Sequence, residues 1–365
     1  MSILLFFLVL FVLVLVHEWG HFIVAKKTGM RVDEFGIGFP PKVFSKKRGE
    51  TEYSFNAFPI GGFVRIFGEN AEEALSDEDK ADEKRAFYNR PKLAQAAVLL
   101  AGITMNIIFA WFLFSIVLIA GVPTAVDEAG ASPDATLVVA GTLKDAPADG
   151  KLPVGSTITK AVSGADTLEH PTPSTFSAFV SSHAPQPIEI SYTKKGEEKT
   201  VAVVPKAGLV KEDASKYIIG TSLSLVEMQR ESIMVAPIDA AKMTASDIVT
   251  ISVGLYGLVH DAFVGHADLS SVAGPVGIVG MVGDAASYGL TPLLMFTAMI
   301  SLNLAVINVL PFPALDGGRL VFVLIEAITN RRVPSAWTGW TNLLGFILLM
   351  VLMAAVTIHD ISRLF

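Results

Sequence analysis

Cysteine is absent from the 365-residue chain. No disulfide framework and no cysteine-ligated metal can therefore form. Charge is scarce as well: Asp, Glu, Lys and Arg make up 17% of the residues against 52% hydrophobic ones. That is the balance of a membrane protein that keeps some water-facing sequence. The net charge of −7 is spread over acidic and basic stretches and leaves no basic footprint, so no nucleic-acid partner is expected. Histidine occurs at only seven positions, too few near membrane segments for a histidine-clustered oxygenase. No inverted repeat of the kind transporters use is found.

What the chain has instead is a long apolar run, residues 4–25, interrupted by His17-Glu18-Trp19-Gly20-His21. On an α-helix, positions i and i+4 share a face. His17 and His21 can both turn a ring nitrogen to one ion, with Glu18 beside them to take a proton from water there. This is the spacing of zinc proteases. Two core histidines that tolerate burial are the plainer alternative. Ionisable groups in hydrocarbon are expensive unless paired or functional, which favours the metal. The run is long enough to span a bilayer, which takes about 20 residues. Met1-Ser2 carries no basic segment and no small-residue cleavage site follows, so a membrane helix is expected rather than a cleaved signal peptide. From Leu4 to His17 such a helix climbs about 20 Å, placing the histidines inside the membrane, near the end where Ala25 emerges.

Basic residues gather beyond that end, at Lys26, Lys27, Arg31, Lys42, Lys46, Lys47 and Arg48. The positive-inside rule puts this side in the cytoplasm and Met1 outside. Residues 1–27 are thus a first transmembrane helix. Within 28–90, apolar positions over 32–67 alternate with glycine, proline and polar residues. They predict short strands with turns at Phe39-Pro40-Pro41 and Lys47-Arg48-Gly49-Glu50. So apolar an element is expected to dip back into the membrane with its backbone covered by protein; a charged cytoplasmic loop follows over 69–86. A second span is expected over 91–122. Residues 128–208 alternate strand-like runs and turns, with a helix over 174–182, and predict a small α+β domain. Residues 209–290 read as an extracytoplasmic linker with a strand over 217–225, an amphipathic surface helix over 238–263 and a loop over 270–280. A third span, 291–320, runs into Pro311 and Pro313, which remove helix donors, and Asp316, which either needs a partner at that depth or caps the next helix. A fourth span over 341–360, after Arg331 and Arg332, leaves both termini outside.

Three signatures then stand together: His-Glu-x-x-His in the first span, Asn-x-x-Pro-x-Pro-x-Leu-Asp-Gly-Gly from Asn308 at the end of the third, and the turns Ala146-Pro147-Ala148 and Leu152-Pro153-x-Gly155 between the second and third. The middle domain resembles a circularly permuted bacterial PDZ domain. The whole chain resembles the site-2 protease family of intramembrane zinc metalloproteases, specifically the bacterial regulator of sigma-E protease group. Gly36-x-Gly38-Phe39, residues 47–54 and Ala101-Gly102…Asn106 add to the resemblance. It implies a polytopic α-helical membrane protein with four transmembrane helices, a membrane re-entrant β element and one extracytoplasmic PDZ-like α+β domain, in the bacterial inner membrane. It implies Zn2+ held by His17, His21 and Asp316, with Glu18 as catalytic base. It further implies that Asn308, Pro311 and Pro313 accommodate substrate near the centre, and that the β element, with Phe63 and Val64, holds the unwound substrate as an added strand. Expected partners are the lipid bilayer and single-span membrane proteins, such as a pre-trimmed anti-sigma factor or a remnant signal peptide. The PDZ-like domain is expected to contact peptide or substrate ectodomain, or to exclude bulky ones. The competing expectation is a catalytically inactive PDZ-bearing scaffold, against which the intact Glu18 argues.

Overall fold

The computed structural model describes residues 1–69, 80–194, 196–209, 216–265 and 273–362. The chain divides into two compact units: Met1–Val117 with Ile233–Phe365, and Leu118–Ser232.

The first unit opens with α1 (Ser2–Lys27), which buries Val9, Leu13, His17, Gly20, His21 and Ala25. Most of these recur every fourth residue, so one stripe of α1 faces the protein and both histidines lie on it. β1 (Val32–Arg48) and β2 (Thr51–Ile66) follow as an antiparallel pair. Near the Gly49-Glu50 turn, Lys47 pairs with Glu52 and Phe44 with Phe55; at the far end, Ile37 pairs with Gly62 and Val32 with Ile66. Residues 34–37 also lie beside 52–55, with both numbers rising together. The long hairpin is therefore doubled over on itself, and four segments lie side by side in the order 62–66, 32–37, 52–55, 44–48. The fold-back falls at the expected Phe39-Pro40-Pro41 turn, but pairing continues through it, Phe39 opposite Phe58 and Lys42 opposite Asn56. The Pro40–Pro41 bond there is cis; prolines have no N–H to give a ladder and fit this irregularity. One side of the element packs Val32 and Ile66 with Ala25, Met30 and Phe87. At the other extreme Phe39, Phe44, Phe55 and Phe58 are exposed.

Glu50 ties the hairpin tip to its surroundings through Arg85 and Lys26. The Arg85 hydrogen bond, then that from Lys26, holds its carboxyl down at about 2 from an ordinary 4.5. A depressed carboxyl contributes stability above its unfolded value, lost as pH falls through its folded value. Wild type is therefore expected to lose roughly 1 kcal/mol, the scale of such ion pairs, between about pH 4.5 and 2. Glu50→Gln should lack that component; thermal unfolding of both proteins across this window checks it. Identical pH profiles would refute the coupling.

α2 (Lys92–Ala120) carries its buried residues, among them Val98, Gly102, Asn106, Ala110 and Leu113, along one face. A Cβ on Gly20 would overlap the Ala101 carbonyl, so glycine lets α1 and α2 approach closely at this level.

The second unit is a seven-stranded antiparallel sheet in the order β3-β9-β4-β5-β7-β8, with β6 beside β5. Its strands are β3 (Val122–Val126), β4 (Thr136–Thr142), β5 (Thr157–Ser163), β6 (Asp166–Glu169), β7 (Ile188–Lys194), β8 (Glu197–Val203) and β9 (Thr221–Gln229). α3 (Pro173–His183) buries Phe176 and Val180 against Leu137, Ile158 and Ile190. Its start is fixed by a Thr172/Thr175 capping box with Pro173 at the first turn. Glu128 accepts hydrogen bonds from the Ser174 backbone N–H and the Ser174 hydroxyl there. The unit extends beyond the expected 128–208: β9 pairs with β4 and takes β3 on its other side, so both ends of the insertion close the sheet.

The chain then returns to the first unit. α4 (Ala236–Val264) is one 29-residue helix. α5 (Pro275–Ser287) replaces the latter part of the loop expected over 270–280; residues 270–272 lie outside the described ones. Glycines 277, 280 and 283 favour a loop by propensity. Here they are helical: a Cβ at Gly283 would overlap Ser2, one at Gly277 would make ordinary contact with Asp360, and one at Gly280 would meet nothing within 4 Å. Asp360 itself accepts the Gly274 and Gly277 N–H groups, at 3.1 and 2.8 Å, and caps the helix. α6 (Leu290–Val309), α7 (Asp316–Thr329) and α8 (Ser335–Ser362) complete the unit. Within the segment 291–320, α6 stops at Val309, just before the expected proline interruption, and Asp316 begins α7. Two prolines without N–H groups and Ala314 at φ 74° account for the break. Among the described residues, α1, α2, α6 and α8 are the four helices long and apolar enough to cross a membrane.

Candidate metal centre

The buried stripe of α1 sets the His17 and His21 rings at 85° to each other, with their Nε2 atoms 3.1 Å apart. Asp316 reaches them from α7: its Oδ2 lies 3.0 Å from His17 Nε2 and 3.3 Å from His21 Nε2. The turn before α7 delivers it there. A Cβ at Gly317 would overlap the Val309 and Leu310 carbonyls, and one at Gly318 that of Phe312. Only glycine allows so tight a reversal. The turn is further held against α8, where the Ala314 N–H donates to Asn342 Oδ1 at 3.3 Å.

α2 backs both rings. His21 Nδ1 is 2.7 Å from the Val98 carbonyl oxygen. A carbonyl only accepts, so this nitrogen carries the proton and Nε2 keeps its lone pair for the centre. His17 Nδ1 is 3.3 Å from Asn106 Nδ2. Gly102 lies between them: a Cβ there would press into both histidine rings. Val98, Gly102 and Asn106 are spaced four apart and form one stripe of α2 opposite the stripe of α1.

The three donor atoms lie within 4.8 Å of one another. Asp316 Oδ2 is buried and makes no hydrogen bond, although both rings are close. Ring lone pairs and a carboxylate that converge in this way repel unless a metal cation or a ring proton sits among them. Two imidazoles and one carboxylate are also the donor set of a catalytic zinc site with an open fourth position. The residues present therefore fit a zinc ion. Glu18 stands beside them, half-buried, and a Cβ on Gly62 of β2 would touch its Cγ at 3.8 Å. Gly61 approaches Val14 in the same way. The doubled β element thus runs along α1 at the level of the centre.

Of the other residues singled out in the sequence, Asn308 sits half-buried in the last turn of α6, Pro311 is exposed, and Pro313 is half-buried against Gly345 of α8. Phe63 covers Gly36 of β1, whereas Val64 joins the core around Ala25 and Met30. Phe63 and Val64 therefore do not share a face. Sequence reasoning gave Gly102 and Asn106 no role at the centre. The signal present was an amide in the apolar run of α2, four residues after a glycine.

Peptidase family M50 matches residues 5–352 of the chain. A Clostridium acetobutylicum protein assigned by inference as a zinc metalloprotease is 34% identical, over 96% of this chain and 94% of its own length. The zinc metalloprotease RasP of Oceanobacillus iheyensis is 30% identical over 99% of this chain and 98% of its own. Among solved structures, the PDZ domain of an SdrC-like protein from Listeria monocytogenes covers 26% of this chain and 90% of that one, at 19% identity and a TM-score of 0.21. That likeness is too low to assign the fold of the second unit.

Proposed function

The chain belongs to peptidase family M50, and on that premise we propose that this bacterial membrane zinc metalloendopeptidase hydrolyses peptide bonds within or near transmembrane helices of single-span membrane proteins. The observation that carries the reading is the meeting of His17, His21 and Asp316, with Glu18 beside them, where the two histidines and Glu18 lie on α1, a helix apolar enough to span a bilayer. His17, His21 and Asp316 are the zinc ligands, and Glu18 is the catalytic base.

Bound zinc supplies Lewis-acid activation of water and of the scissile carbonyl. Glu18 takes the proton from the attacking water and passes it to the leaving amine. A helical substrate must unwind first, because its carbonyls are held in its own hydrogen bonds, and the freed groups need partners at membrane depth. The outer segment 62–66 of the β element supplies them by strand addition. Its passage beside Glu18 at Gly62 supports this role, as do the exposed phenylalanines that suit the element to a membrane. Phe63 and Val64 belong to this edge segment, and Asn308, Pro311 and Pro313, which precede Asp316 in the chain, accommodate the substrate near the centre. The basic run after α1 lies in the cytoplasm, both termini lie outside, and the second unit is an extracytoplasmic PDZ-like domain that screens substrate ectodomains.

The test is cleavage of tagged single-span helices by the purified protein in detergent, with zinc counted per chain. Asp316→Ala is expected to hold far less zinc than wild type and to lose cleavage with it. Full zinc content in that variant would remove Asp316 from the coordination shell. A zinc-loaded wild type that cleaves none of a panel of such helices would leave the scaffold reading.

A further inference from the structure

We propose that Asn106 is a positioning residue for His17: its side-chain oxygen accepts the Nδ1 proton of His17 and so keeps Nε2 bare for the metal. The inference rests on His17 being a zinc ligand, as argued above.

The two histidines differ in how their tautomers are set. His21 Nδ1 meets the Val98 carbonyl at 2.7 Å, a group that can only accept. The partner of His17 Nδ1 is instead the Asn106 side chain, whose Nδ2 lies 3.3 Å away. Asn106 is fully buried, and its Oδ1 has no hydrogen-bond partner. A primary amide presents oxygen or NH2 with nearly the same shape after a half-turn about its terminal bond. With NH2 against Nδ1, the ring proton of neutral His17 must sit on Nε2. It would then point at Asp316 and His21, at 3.0 and 3.1 Å, and block ligation. With the oxygen against Nδ1, the proton moves to Nδ1 and the Nε2 lone pair faces the centre, matching His21. The half-turn also gives the unpartnered oxygen its hydrogen bond.

The backbone around this amide is held from a second side. The Ser301 hydroxyl of α6 donates to the Asn106 carbonyl at 2.8 Å, and both residues are buried. α2 thus offers one acceptor to each ring, a backbone carbonyl at 98 and a side-chain oxygen at 106, with Gly102 admitting both rings between them. Only the second acceptor can be removed by substitution. Metal-bound histidines almost always pass their other N–H to such an acceptor, and losing it costs about 10–100-fold in metal affinity or activity.

The experiment measures zinc affinity of the full-length protein in detergent by competition with a chelator. Asn106→Leu keeps the size and removes the acceptor; its zinc affinity should fall about 10–100-fold. Asn106→Asp keeps only acceptors and should bind zinc at least as tightly as wild type. A merely structural role would instead lower the thermal midpoint of both variants in chelator and leave zinc affinity alone. Wild-type affinity in Asn106→Leu, or an equal loss in Asn106→Asp, would overturn the proposal. If the leucine variant does not fold, the aspartate variant decides alone: retained affinity supports the assignment and lost affinity overturns it. His17→Ala, measured beside them, separates the two levels. Unchanged zinc in that variant would remove His17 as a ligand and the premise with it; lost zinc there with full affinity in Asn106→Leu would reject only the role of Asn106.

Discussion

Glu18→Gln is expected to bind zinc as wild type does and to cleave a tagged single-span substrate roughly 10²- to 10⁴-fold more slowly, the usual contribution of a positioned general base. The amide matches the carboxylate in size and leaves the three converging donors untouched, so the packing beside Gly62 is preserved. What it lacks is a site for the proton. Zinc per chain and turnover must be read on the same sample, because loss of both would report a damaged centre. Turnover within a few-fold of wild type at full zinc would refute the base assignment. Glu18→Asp keeps the basicity but withdraws the carboxylate by one methylene, so its turnover should fall between the two.

Gly102→Ala should be the one-carbon change in the membrane helices that bears most directly on the histidine rings. By helix propensity alone the substitution favours the folded state by about 1 kcal/mol. The new Cβ, however, would come well inside contact distance of His21 Nε2 and within 2.8 Å of His17 Cε1. Neither ring can step aside, since His21 is held by Val98 and His17 by Asn106. Overpacking of this kind costs about 1–3 kcal/mol, and here it falls directly on the donors. Zinc affinity is expected to drop about tenfold or more, at 1.4 kcal/mol per decade. Gly254→Ala in α4 is the control, because a Cβ there meets nothing within 4 Å; it should leave zinc affinity unchanged and raise the thermal midpoint. Equal zinc affinity in Gly102→Ala and wild type would show that α2 does not set the spacing of the rings.

The parts of this molecule legible in its sequence are those where local pattern and tertiary role coincide. The i, i+4 histidines fall on the one buried stripe of α1, so the motif and the packing face are the same residues. The proline pair and the glycines around Asp316 announce the break at the end of α6, because missing N–H groups and missing side chains are local properties. α5 was hidden for the opposite reason. Its glycines favour a loop in isolation, and what fixes the helix is tertiary: the Asp360 cap at its start and the close approach of Ser2 to Gly283. The extra reach of the second unit was hidden too, since β3 and β9 find each other across about 100 residues that local reasoning does not bridge. The backing of the centre by Val98, Gly102 and Asn106 is the least legible: a backbone carbonyl has no sequence signature, and a missing side chain is visible only against its neighbours.

Asp316 joins His17 and His21 from the opposite end of the chain, and this has a consequence for synthesis. A growing polypeptide displays its histidine pair at the outset, but two imidazoles on one helix are only part of a site. The third donor arrives after α2, the whole second unit and α6 have been made, and its approach depends on a turn that α8 still has to hold. Until then the nascent chain is an unarmed membrane protein. On the proposed assignment of the three ligands, a membrane metalloprotease is thereby kept inactive during its own insertion, and truncated products that stop short of α7 are expected to stay inert.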